Sequence, residues 1–226
     1  MIWQDKGYLL SKNNYNENSL IAEFFTENHG KITGLIFGST SKKIKSYLLV
    51  GNKFHLNYNS KQEGRIGYFK VEIEKIETPI FLNNQSKLFC IIYTMNLIKI
   101  LTVDNQINKN IYNLIKNFFL LLSKERWLTD YIFWELQFYE NIGYAIDFKN
   151  YVKKVDSSVE NKFVVETSNR VIPNFILSKD YDPKNNDEIL TGYKLVGDFL
   201  EKTILKPNNI SFPSSRNEFV NLIKQT

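Results

Sequence analysis

Apolar and polar residues alternate along the first third of the chain. Residues 3–11 and 20–26 carry the period-two pattern of half-buried strands, and 31–38, 53–59 and 65–76 repeat it. In the last of these, Phe69, Val71 and Ile73 face one way and Lys70, Glu72 and Glu74 the other. Glu27-Asn28-His29-Gly30 predicts a turn, because glycine takes the positive φ that a hairpin end often needs. Residues 39–46 read as a polar, lysine-bearing loop. Five short strands within residues 1–78 predict a small barrel, since an open sheet of that size would leave two adhesive edges.

The period changes at Thr78-Pro79. Leu88, Ile91, Ile92, Met95, Leu97, Ile98 and Leu101 keep helical spacing over residues 79–103. A second helix is expected over 106–122 and a third over 124–142, with Gly143 as the residue that ends it. Residues 147–175 break this pattern, and FVVETSNRVI reads as two short strands around a Thr-Ser-Asn turn. Helices return over 187–205 and 215–224, the last opened by Ser215-x-x-Glu218, a reciprocal capping pattern. The class is therefore α+β. A five-stranded barrel occupies 1–78, and a helical bundle occupies 79–226 with a small β insertion at about 147–176.

Charge sharpens this picture. The net charge of +5 is modest evidence by itself, because a chain rich in Lys, Asn and Ile is what an AT-rich genome encodes. Its distribution is more telling. Between Gly30 and Lys70 stand eight cations against one acid, Glu63, whereas from residue 79 onward eighteen cations face sixteen anions. Phe37, Tyr47, Phe54, Tyr58, Tyr68 and Phe69 are interleaved with those cations. Cations on a sheet beside aromatic faces suit single-stranded nucleic acid. Lys42, Lys43 and Lys45 lead as phosphate contacts, because an ammonium on a flexible stem neutralises phosphate without demanding a base sequence. Lys31, Lys53 and Arg65 follow. Tyr47, Phe54 and Tyr58 could stack bases, yet alternate strand positions must fill a barrel, so they read as core, and Phe37 with them.

Other chemistries are poorly supported. The single cysteine, Cys90, excludes an intrachain disulfide or a cysteine-based zinc site and reads as a buried small hydrophobe. His29 and His55 are isolated, and His29 belongs to its turn. No phosphate-cradling glycine loop or paired-carboxylate motif occurs, so an enzyme is not expected. No run of eighteen apolar residues exists, and MIWQDKGYLL carries charge where a signal peptide is apolar, so a soluble, cytoplasmic protein without membrane partners is expected. Tyr131, Phe133, Trp134, Phe138 and Tyr139 make one helix aromatic enough to be mostly core.

WQDKGYLLSKNNYNENSLIAEFFTENHGKITGLIFGS resembles the opening of the bacterial recombination protein RecO family. A strand ends in Leu-Ser, a polar stretch carries Glu-x-Ser, and a second strand runs through Thr-x-x-His-Gly-Lys into a third. Gly-Ser-x-Ser-Lys-Lys falls where the family carries its basic loop, and the Trp-Gln-Asp start with a later Val-Gly-Asn is most similar to the alphaproteobacterial branch. WELQFYENIGYAIDF and SSRNEF resemble later family patterns. The resemblance implies an oligonucleotide-binding (OB) barrel and a cofactor-free mediator at the nucleoid. Such a protein binds single- and double-stranded DNA, anneals complementary strands and helps load recombinase on coated DNA. Implied partners are RecR and the acidic C-terminal tail of the single-stranded DNA-binding protein. Many members hold four cysteines around zinc after the third helix; residues 147–175 contain neither cysteine nor histidine, so no metal is expected.

An acidic tail ending in an apolar residue and a free carboxylate needs a hydrophobic slot rimmed by cations. The junction of the second and third expected helices supplies Lys116, Lys124 and Arg126 near Trp127 and Tyr131, and Arg126 leads because a guanidinium can grip a carboxylate in a fork. Two other readings stand beside the DNA mediator. One is an adaptor acting through its helices alone; the other is an RNA-binding barrel that depends on the 2′-hydroxyl.

Overall fold

The computed structural model describes residues 1–38, 41–62, 64–146, 148, 152–156, 161–165, 171–178 and 181–225. Five strands form a closed barrel: β1 (Ile2–Asn16), β2 (Ser19–Thr26), β3 (Gly30–Phe37), β4 (Lys53–Asn59) and β5 (Gly67–Lys75). The order is β1-β2-β3-β5-β4, and β1 closes the circle by pairing antiparallel with β4. β3 and β5 run parallel, with Gly34 opposite Gly67 and Ile36 opposite Phe69. This is the expected OB-type barrel. Its interior holds Leu9, Ala22, Phe24, Ile36, Phe54, Leu56 and Phe69, with Val71 and Ile73 packed against them. These residues come from alternate positions on each strand, so the period-two pattern and the barrel lumen are the same fact.

Two segments differ from the sequence expectation near the barrel. Residues 42–47 form a short helix, α1 (Lys42–Tyr47), where a loop was expected. Ser41 starts it by accepting the Ile44 N–H at 3.2 Å, and Ile44, Tyr47 and Leu48 turn inward onto the barrel core. Six residues are too few to display helical periodicity, which hid the element. β1 also continues to Asn16, because Asn13 and Asn14 pair with Ile21 and Leu20 on β2 despite their polarity.

Gly30 has φ +72°, as its turn requires, and a Cβ there would lie 2.0 Å from the Gln106 carbonyl oxygen. Asn52 is the polar keystone below the barrel. Its Oδ1 accepts the N–H groups of Glu77 and Thr78 at 2.9 and 3.1 Å, and its Nδ2 donates to the Tyr47 carbonyl at 2.8 Å.

Four longer helices follow a 3₁₀ turn at Thr78–Phe81: α2 (Gln85–Leu101), α3 (Lys109–Leu122), α4 (Trp127–Asn141) and, after the insertion, α6 (Asn186–Phe199). Asparagine caps set three of their starts. Asn84, Asn108 and Asn185 accept the N–H three residues on, at 2.9, 3.0 and 2.9 Å. Helices α2 and α3 therefore begin later than hydrophobic spacing alone suggested. Gly143, at φ +94°, ends α4 as expected.

The insertion is a three-stranded sheet, β6 (Val152–Asp156), β7 (Asn161–Val165) and β8 (Val171–Ile172). β7 and β8 are the expected pair, while the Thr-Ser-Asn turn between them lies outside the described residues. A short α5 (Asn174–Leu177) follows. The last helix, α7 (Ser215–Ile223), lacks the expected reciprocal cap: Ser215 is already helical and its buried hydroxyl has no hydrogen-bond partner.

The chain divides into two compact units, Met1–Lys116 with Pro213–Phe219, and Asn117–Phe212 with Val220–Thr226. In the first, α2 lies against β1, and its Lys99 bridges Glu23 at 2.7 Å and Ser11 at 3.1 Å. The same unit buries Arg216, which donates to the Tyr93 hydroxyl at 2.7 Å. In the second, Phe118, Tyr131, Trp134 and Phe138 form a chain of ring contacts that continues from Tyr131 to Tyr193 on α6. No helix among the described residues is long and apolar enough to cross a membrane.

Candidate nucleic-acid interface

The barrel sorts its basic residues by where their charge ends. Lys42 and Lys45 lie on the outer side of α1 and are exposed, because Ile44 and Tyr47 take the inward positions of that helix. Lys43 shares the helix, and its side chain lies outside the described part. Arg65 and Lys61, in the β4–β5 connection, are exposed, as is Lys70 on the outer face of β5. None of Lys42, Lys45, Lys61, Arg65 and Lys70 forms an ion pair with another described residue. Their charge is turned to solvent.

Lys31 and Lys53 are placed differently. Lys31 is 8% exposed, and its ammonium donates to the carbonyls of Lys99 and Thr102, each at 2.6 Å, while pairing with Asp104 at 3.1 Å. Those two carbonyls belong to the end of α2, where backbone oxygens lack helical partners, so Lys31 caps the helix from the barrel. Lys53 pairs with Glu74 at 3.1 Å and stands 5.8 Å from the ring centres of Tyr8 and Tyr112. Burial works against the ionised Glu74 carboxylate, but hydrogen bonds and charge from Lys53 and Lys6 outweigh it and hold its pKa below the ordinary value.

The aromatic residues divide in the same way. Phe54 and Tyr58 fill the barrel and Tyr47 packs beside them, as expected. Phe37 does not. It is 57% exposed at the end of β3, with its ring centre 5.9 Å from that of Tyr68. Its neighbour Ile36 already occupies the lumen, and successive strand residues point to opposite sides. That parity was present in the sequence and could have placed Phe37 outside.

At another part of the barrel, Trp3 stacks between His29 and Tyr58, with centroid distances of 4.0 and 4.7 Å. His29 Nδ1 lies 2.7 Å from Asp5 Oδ2, which fixes the β2–β3 turn as expected. Burial penalises the charged Asp5. Hydrogen bonds from His29, from the N–H groups of Asn28 and Lys6, and from the Asn28 side chain more than offset that penalty, so the carboxyl stays below its ordinary 3.8.

In the second unit, Arg126 and Trp127 line a cleft of about 450 Å³ with Thr129, Asp182, Pro183 and Ile189. The slot thus has an apolar wall and a guanidinium. Arg126 is not idle, because its Nη2 pairs with Asp182 at 2.5 Å. Lys124 pairs with Asp130 at 3.0 Å and does not line the cleft. Tyr131 is interior, donating its hydroxyl to Glu135 at 3.0 Å. Lys116 is exposed on α3 within the first unit. Of the five residues expected at the tail site, Arg126 and Trp127 therefore share one cleft. Among the described residues, no group of three or more His, Cys, Asp or Glu is arranged to hold a metal ion.

Comparison with known proteins bears on the family of the chain. Residues 1–76 match the family described as recombination protein O N terminal, and residues 83–209 match recombination protein O C terminal. A DNA repair protein RecO from a Ruegeria species is 26% identical over 99% of this chain and 98% of its own length. One from Rickettsia felis is 29% identical over 84% and 87%, and one from Ehrlichia chaffeensis is 25% identical over 99% and 98%.

Proposed function

The chain belongs to the recombination protein O family of DNA repair proteins, and from that premise we propose that it is a DNA-binding mediator rather than an enzyme. In this reading it anneals complementary strands and helps load recombinase on coated single-stranded DNA. Residues 1–78 supply the DNA-binding part and 79–226 the helical part, at the nucleoid in the cytoplasm. One observation carries the reading: the five cations Lys42, Lys45, Lys61, Arg65 and Lys70 stand exposed on a closed barrel with no ion pair to another described residue. A protein gains nothing internally from such charges, whereas a polyanion that releases counterions gains from each. We read Lys31 and Lys53 as structural, since their ammonium groups already serve α2 and Glu74.

The cleft at Arg126 favours a second role alongside the first, capture of the acidic tail of the coating protein. RecR is the remaining proposed partner. The DNA reading is tested by strand annealing and by salt-dependent binding with Lys42, Lys43 and Lys45 changed to Glu. Annealing should fall while the thermal midpoint changes little, because Lys42 and Lys45 are exposed and exposed charges add little to stability. The log–log salt slope on single strands should flatten by about 0.7 for each phosphate that is no longer neutralised. An unchanged affinity and slope would remove α1 from the DNA site.

A further inference from the structure

The outer face of β3 and β5 carries a row of side chains that the barrel does not use. Ile36 and Phe69 point into the lumen, so Leu35, Phe37, Tyr68 and Lys70 project outward by strand alternation. The parallel register sets Leu35 beside Tyr68, and β4 sets Asn59 on the other side of Tyr68. Phe37 and Tyr68 meet at 5.9 Å with their rings tilted by 53°, and Phe37 leaves more than half of its surface in water. One exposed apolar residue is ordinary, but two touching rings set among cations without an ion pair to another described residue are not. Lys70 lies two residues beyond Tyr68 on the same face, and Arg65 lies three residues before it. On the other side, the Ser41 N–H donates to the Gly38 carbonyl at 3.1 Å, which ties the start of α1, with Lys42 and Lys45, to the residue after Phe37.

Cations in two directions with π faces between them are what an unpaired strand requires: ammonium and guanidinium groups for the phosphates, rings for the bases. We propose that Phe37 and Tyr68 form a stacking platform for unpaired bases, and that this pair makes the barrel prefer single strands to duplex. The proposal rests on the DNA-binding reading above and adds the form of DNA that the face selects. Duplex bases are already stacked on one another and offer no free face to the rings. Phosphates are present in both forms, so the cations alone give no such preference.

The test compares a thymidine oligonucleotide with a blunt duplex at one salt concentration. Phe37→Ala and Tyr68→Ala should each weaken single-strand binding roughly tenfold, the scale of one base–aromatic stack. Duplex binding should stay within about twofold, and the salt slope should not change, because every phosphate keeps its cation. Phe37→Tyr should bind single strands like the wild type, and Phe37→Leu should bind them like Phe37→Ala. The Tyr and Leu pair keeps apolar bulk at the site, so it decides the matter even if the alanine variants lose stability. Equal single-strand affinity for Phe37→Tyr and Phe37→Leu, or wild-type affinity in Phe37→Ala, overturns the platform while leaving DNA binding intact. Wild-type protein that binds neither DNA form overturns the underlying reading instead.

Discussion

Asp5 illustrates how much one side chain organises at the barrel end. Its carboxylate accepts from the Lys6 and Asn28 N–H groups, from the Asn28 side chain and from His29, and so holds the β2–β3 turn against β1. Because the folded pKa is lowered, this stabilisation is present in full above the ordinary value of 3.8 and is lost as the pH falls through the folded value. Asp5→Asn should therefore lower the stability at neutral pH by about 2 kcal/mol, for the loss of a charged hydrogen-bond acceptor. As the pH falls below 3.8 and through the folded value, the gap to wild type should close, because the folded wild-type carboxyl becomes neutral as well. Thermal unfolding across that pH range checks the sign; a gap that widens in acid would mean Asp5 does not contribute as a carboxylate. Nothing in the local pattern around Asp5 announced this. Apart from the adjacent Lys6, its partners lie 23 and 24 residues away in the chain.

Among the elements, strands were more legible than their charged residues. Alternation alone located all five barrel strands, because each has one face in the lumen and a one-residue slip would expose it. The short α1 escaped, and so did β6, whose Val-Lys-Lys-Val-Asp shows no strict alternation. Lys31 looked like a phosphate contact because it stands in the basic run, yet its stem carries the ammonium to the carbonyl end of α2. That role depends on a helix about seventy residues further along the chain, 68 and 71 by the two bonds. Lys31→Met keeps the apolar stem and removes the cap. It should cost about 2–3 kcal/mol of stability, since two carbonyls are left without a donor, and should leave the salt slope of DNA binding unchanged. Chemical denaturation and a salt titration separate the two effects: a flattened slope in a fully stable variant would return Lys31 to the DNA face.

At the scale of the whole molecule, the proposed mediator needs a second site besides the barrel. Arg126 was legible as a guanidinium able to grip a carboxylate, and it stands at a helix start, where a cation gains nothing from the helix dipole. Its actual neighbour was not legible, since Asp182 is 56 residues away. Asp182 turns the cleft into a competition: a carboxylate already holds the guanidinium that a tail carboxylate would seek. Both partners are more than half exposed, so the pair is worth only about 0.2–1 kcal/mol. A ligand that also buries an apolar side chain against Trp127 and Ile189 can displace it. Asp182→Ala should therefore tighten binding of an acidic peptide with an apolar C-terminal residue by a factor of about two to five, the same energy returned. Arg126→Ala should weaken that binding by about 1.5–3 kcal/mol, the loss of a charged hydrogen bond. Neither change should alter DNA affinity, because the cations proposed for DNA lie on the barrel. Titrating a labelled peptide against wild type and both variants decides the matter: opposite shifts place the carboxylate on Arg126, and equal dissociation constants in all three exclude this cleft as the tail site.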